Sequence, residues 1–144
     1  MNFRIVALDK EQFQPCLQLD NEALAQRHAR GLVADAKPGY PCRVSLQEAE
    51  VGERVLLLPY QHLGATSCYR ASGPIFIREQ ALQANLQVNE IPDALRHRML
   101  SLRAYDRQQM MKYAELVQPD DLVAVIQQQL EDADIEMIHI HNAK

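Results

Sequence analysis

A chain of 144 residues, 47% hydrophobic and 24% charged, has the size and balance of one globular domain, and these values exclude a disordered or low-complexity class. A formal charge of -4, with no basic run longer than Arg96-His97-Arg98, excludes general nucleic-acid binding. The longest apolar stretch, residues 55–59, cannot span a bilayer, and no export signal opens the sequence. The expectation is therefore a cytoplasmic protein without a membrane partner.

In chain order, Phe3-Arg4-Ile5-Val6-Ala7-Leu8 favours an opening strand. Asp20 then caps a short helix on which Leu24 and His28 share a face and which Gly31 ends. Ala36-Lys37-Pro38-Gly39-Tyr40-Pro41 predicts a loop that delivers the chain into a strand at Cys42-Arg43-Val44-Ser45-Leu46. Two buried strands follow, over 53–60 and 74–78, and their short polar connection predicts antiparallel pairing.

Pro92 opens a brief helix through Arg98, followed by a strand over 100–106 and a turn into Met110-Met111-Lys112-Tyr113, a second hairpin. The clearest helix starts at Pro119. Asp120 and Asp121 favour the positive end of its dipole, and Leu122, Val123, Ile126 and Leu130 form its apolar stripe. Residues 135–141 have apolar side chains in both alternation phases, which predicts a central strand covered on both faces. The elements together predict an α+β fold: a largely antiparallel mixed sheet of about six or seven strands, with two or three helices packed mainly on one face, in a single domain over 1–144.

The three cysteines, Cys16, Cys42 and Cys68, have no Cys-x-x-Cys spacing and read as reduced thiols. Cys42 precedes Arg43, and a guanidinium together with a histidine close in space would make the thiol a candidate nucleophile. Yet Cys42, Val44 and Leu46 alternate as a core face, so a neutral buried thiol is the expectation, and Arg43 and Ser45 point the other way.

His139 and His141 stand two apart on the last predicted strand, so their imidazoles share a face roughly 7 Å apart. A metal would need a third donor from His62, Cys42 or Asp106, and nothing in the spacing selects one, so no metal or cofactor is expected. The plainer reading has both rings hydrogen-bonded to backbone or to Asn142. Arginines recur at strand positions: Arg43 beside Ser45, Arg70 before Ser72 and Gly73, Arg78 after Phe76, and Arg103 on the face of Tyr105. Convergence of several would make an anion site, because guanidinium binds carboxylate or phosphate in a bidentate manner. The competing reading pairs each with a local acid such as Glu53, Glu79 or Asp106. Glycine-rich phosphate loops, Gly-x-Ser-x-Gly, His-Glu-x-x-His and Ser-x-x-Lys are all absent. Asp120-Asp121 needs no chemistry beyond the helix dipole.

The segments Phe3-Arg4-Ile5-Val6, Ala34-Asp35-Ala36-Lys37-Pro38-Gly39, Pro41-Cys42-Arg43-Val44-Ser45-Leu46, Tyr69-Arg70-Ala71-Ser72-Gly73-Pro74-Ile75-Phe76 and His139-Ile140-His141-Asn142-Ala143 resemble a bacterial family catalogued as domain of unknown function number twelve hundred and three. The resemblance implies a small bacterial cytoplasmic protein and brings no activity or substrate with it. It implies that Cys42-Arg43, Tyr69-Arg70-Ala71-Ser72 and His139-x-His141-Asn142 belong to a shared pattern. That pattern runs on past Asn142-Ala143 through a Gly-Cys pair into another basic strand, whereas this sequence stops at Lys144. The comparison thus implies that the family's last strand is lacking and that the strand bearing His139 and His141 has an open edge.

The functional expectation is a pocket for a small anionic metabolite formed by Arg43, Arg70 and Arg103 and shaped by Tyr69, Ser72, His139, His141 and Asn142. Were a reaction catalysed, His139 or His141 would be its acid or base, with Arg70 stabilising negative charge. The alternative is a non-catalytic interaction module or homodimer, which would use a sheet edge and the Met110-Met111 hairpin.

Overall fold

The computed structural model describes residues 1–143. It is α+β, but its strands form two antiparallel three-stranded sheets instead of one larger sheet. Two expected strands do not form, and residues 79–99 carry the chain from one sheet to the other without a strand.

Residues 3–8 are not part of a strand. The Phe3 N–H donates to the Asn89 side-chain oxygen at 3.0 Å, and the Leu8 N–H donates to the Arg43 carbonyl at 3.0 Å. Their apolar side chains are divided, with Phe3 and Ile5 packing in one core and Leu8 in the other. Helix α1 (Gln14–Leu17) follows a 3-10 turn at Lys10–Phe13. Helix α2 (Asn21–Ala25) is capped as expected, the Asp20 carboxylate accepting the Ala23 N–H at 2.9 Å.

Gly31 does not end that helix. His28, with a φ of 58°, turns the chain earlier, and Gly31 lies in strand β1 (Arg30–Val33). A Cβ there would stand 2.7 Å from an Arg54 guanidinium nitrogen, so close approach explains this glycine.

Strands β2 (Arg54–Leu63) and β3 (Ala71–Arg78) complete the first sheet, with order β1-β2-β3. Leu56 opposes Ile77 and Leu58 opposes Ile75. These four pack with Phe13, Leu17, Leu24 and Val44.

The segment over 42–46 is not a strand. Cys42 makes one parallel bridge to Phe76, and the chain then turns, the Leu46 N–H donating to the Cys42 carbonyl at 3.0 Å. The turn closes around the thiol, whose Sγ accepts N–H groups of Val44, Ser45 and Arg78. Cys42, Val44 and Leu46 are buried as the alternation required, but Ser45 is buried with them.

The helix after Pro92 shortens to a 3-10 turn at Asp93–Leu95. Strands β4 (Leu100–Asp106) and β5 (Met111–Val117) form the expected hairpin. After a 3-10 turn at Pro119–Asp121, helix α3 (Leu122–Leu130) buries Leu122 and Ile126 against Leu100 and Leu102. Val123 is exposed and leaves the expected stripe.

Among the described residues strand β6 (Ile135–Asn142) pairs with β4 alone, so the second sheet runs β5-β4-β6 with β6 at its edge, not at its centre. Its two apolar phases have another cause: Ile138 and Ile140 pack in the core of α3, while the opposite face turns toward the first sheet. No helix among the described residues is long and apolar enough to cross a membrane.

Candidate functional site

Pairing of β4 with β6 sets Arg103 opposite His139, Ser101 opposite His141 and Tyr105 opposite Met137. Since Leu100, Leu102 and Ala104 of β4 are buried, alternation puts Arg103 and both imidazoles on the other face, toward β2. There His62, placed beside a register irregularity between Gln61 and Leu63, meets them. Ring centroids lie 4.7 Å apart for His62 and His141, 6.0 Å for His62 and His139, and 5.9 Å for His139 and His141. Tyr105 stacks edgewise on His139 at 5.1 Å, and Tyr69 on Tyr105 at 6.3 Å.

Each of the three imidazoles has one buried nitrogen without a protein hydrogen-bond partner: Nε2 of His62, Nδ1 of His139 and Nε2 of His141. Burial lowers the pKa of all three, and the nearby Arg103 guanidinium lowers them further. His141 falls to about 4. At neutral pH the cluster is uncharged.

The histidines border a cavity of about 770 Å³. Residues 2–8, residues 136–141 of β6, Arg43 and Tyr60 are among those that line it. Burial and the charge of Arg98 lower the pKa of Arg43, which has no ion-pair partner among the described residues. The nearest buried acid, Glu48, is held by Arg98 instead.

Of the expected ligand residues, Arg43, His139 and His141 line this cavity, and Arg103 stands across the ladder from His139. Tyr69 reaches the cluster through Tyr105. Arg70 is exposed. Ser72 pairs with Gln61 and is exposed, bordering a smaller hollow of about 350 Å³ lined also by His28 and Leu57. Asn142 opposes Leu100 on the α3 side of β6, away from the imidazoles. Arg78 follows the competing reading, donating to Glu53 at 2.7 Å and to Ser45 and Gln47.

The structure adds His62 to the pair. Cys42 is occupied by backbone N–H groups, and the Asp106 carboxylate accepts the Gln108 and Met110 N–H groups of the β4–β5 turn, both at 2.9 Å. Among the described residues, no group of three or more His, Cys, Asp or Glu is placed to hold a metal ion. Sequence reasoning missed the N-terminal wall of the cavity, although the alternation of Phe3 and Ile5 with Arg4 and Val6 marked that segment as extended.

These features define an α+β protein with a histidine-bordered cavity lined in part by an N-terminal segment and by a strand of the second sheet. The family model described as "Protein of unknown function (DUF1203)" matches residues 39–144, and the chain belongs to that family. No curated protein matches it, and no solved structure does.

Proposed function

We propose that the protein binds a small anionic metabolite in the cavity beside Arg43, His62, His139 and His141. The observation that carries this reading is Arg43, a largely buried guanidinium on the cavity wall with no carboxylate paired to it. Glu48 acts on Arg43 only through space, being ion-paired with Arg98; a largely buried charge without a bonded partner is costly, and a carboxylate or phosphate would supply the acceptors a guanidinium requires. The neutral imidazoles add donors to the same anion. With the ligand present, its charge would offset that of Arg103 and bring His139 or His141 back toward a titration range useful for proton transfer. The family resemblance adds a bacterial, cytoplasmic setting to this reading.

The test is a thermal-shift screen against carboxylates, phosphate esters and nucleotides, since a ligand selective for the native state raises apparent stability. The expected result is a shift that Arg43→Gln abolishes and that Arg70→Ala, at an exposed position, leaves in place. Silence across the panel would overturn it. A second reading, self-association or docking of a protein, is favoured by one observation: among the described residues, one edge of β6 has no paired strand.

A further inference from the structure

Arginines in this fold divide by whether an acid holds them. The half-buried ones are Arg43, Arg54, Arg78, Arg98 and Arg103. Arg54 is paired with Glu79, Arg78 with Glu53 and Arg98 with Glu48, as guanidinium groups drawn out of water normally are. Among the described residues, Arg43 and Arg103 have no paired carboxylate.

These two exceptions converge on one cluster. Arg103 stands across the β4–β6 ladder from His139, and Arg43 lines the cavity together with His62, His139 and His141. Beyond the effect of burial, the charges of both guanidiniums reach His141. The groups around them offer hydrogen bonds and no negative charge: three imidazoles, each with a buried nitrogen lacking a protein partner, and the Tyr105 hydroxyl beside Arg103.

Both arginines are held by fixed backbone. The Arg43 N–H donates to the Phe76 carbonyl of β3 at 3.0 Å, and its own carbonyl accepts the Leu8 N–H at 3.0 Å. Arg103 belongs to β4, the central strand of the second sheet, paired on one side with β5 and on the other with β6. Neither position depends on the edge of a sheet. Cations ordered in advance by their backbone lose little freedom when a ligand arrives.

We propose that Arg43 and Arg103 form a clamp for a small dianion, one negative charge for each guanidinium, with His62, His139 and His141 as its hydrogen-bonding partners. This rests on the anion reading and names the ligand class: a compact group of double charge, either a short dicarboxylate or a phosphate monoester. Guanidinium forks match the oxygens of both. A monoanion would neutralise one cation and leave the other unmatched.

The test is calorimetry on the full chain at pH 7.5 with two pairs of probes, succinate against its monomethyl ester and methyl phosphate against dimethyl phosphate. Within each pair the esterified probe has lost the second charge. At least one dianion is expected to bind about tenfold more tightly than its monoanionic counterpart, the worth of one charge-assisted contact. Preference for succinate identifies a dicarboxylate, and preference for methyl phosphate a phosphoryl group. In Arg103→Gln the dianion's affinity is expected to fall to that of the monoanion, which Arg43 still binds. Equal binding within both pairs overturns the clamp and leaves the anion reading standing, as does a folded Arg103→Gln variant that keeps the full preference for the dianion. Binding of none of the four probes overturns the anion reading itself. The comparison within each pair uses the unaltered protein, so it stands even where the variant fails to fold.

Discussion

Arg103 on β4 and His139 on β6 are direct partners across the antiparallel ladder, so a permanent cation stands beside an imidazole already disfavoured from protonation by burial. Arg103 also depresses His62 and His141. One guanidinium therefore helps keep three rings neutral, and replacing it is expected to raise all three. In Arg103→Gln, proton NMR titration should find each imidazole protonating at a higher pH than in the parent protein.

The histidines link stability to pH. His141 is lowered to about 4 by burial first, then by His62, Arg103, His139 and Arg43, from an ordinary value of 6.5. A base with a depressed folded-state pKa leaves the unfolded chain binding more protons between those values. Stability is thus full above about 6.5 and lost as pH falls toward about 4. Urea midpoints at pH 7.5, 5.5 and 4.5 should fall in that order, and His141→Gln should flatten the decline.

Anion binding should show the reverse trend while the fold persists. An anion beside the rings favours their protonated forms, so affinity should rise as pH falls from 7.5 to 5.5. Calorimetry in two buffers of different ionisation enthalpy should detect proton uptake on binding. Affinity unchanged over that range would place the anion away from the imidazoles.

Arg78 should behave unlike Arg43. Its ion pair with Glu53 has both side chains largely buried, 17% and 14% exposed. Arg78→Ala leaves that carboxylate uncompensated and is expected to cost about 3 kcal/mol. Denaturant unfolding should report that loss, whereas any ligand-induced shift should survive in buffer where the variant remains folded.

Gly31→Ala tests a close approach. The added Cβ would meet the Arg54 guanidinium, which donates to Glu79 at 3.0 Å and to the Leu19 carbonyl at 2.9 Å. Displacing it should cost about 1–2 kcal/mol, within the range for overpacked sites. A melt matching the parent within error would show that Arg54 moves aside freely.

Local signals were legible where local chemistry decides the outcome. The Asp20 cap, the strand over Leu100–Asp106 and its hairpin with β5 follow from capping, alternation and turn residues. What alternation cannot state is whether an extended segment finds a partner. Phe3 to Leu8 and Cys42 to Leu46 both carry the period of a strand, yet the first lies beside a cavity and the second folds around its own thiol. Both failures led to one large sheet being expected in place of two small ones.

The candidate site was legible by side-chain type and illegible by pairing. Arg43, His139 and His141 stood out as residues suited to an anion, and they share the cavity. Which arginines are consumed by acids depends on distant partners, such as Glu53 for Arg78 and Glu48 for Arg98, 25 and 50 residues away. Ser72 and Asn142 were close in sequence to site residues but lie on the other faces of their strands.

The hydrogen bond from Phe3 to Asn89 spans 86 positions, while Ile5 and Leu8 each join a different core. A contact of that reach is closed only after a large loop has been ordered, whereas the β2–β3 and β4–β5 hairpins join neighbouring segments. The expected order of assembly is that the two hairpins condense first and the N-terminal stretch joins them last. Destabilising Phe3 or Ile5 should therefore speed unfolding and leave the refolding rate nearly unchanged.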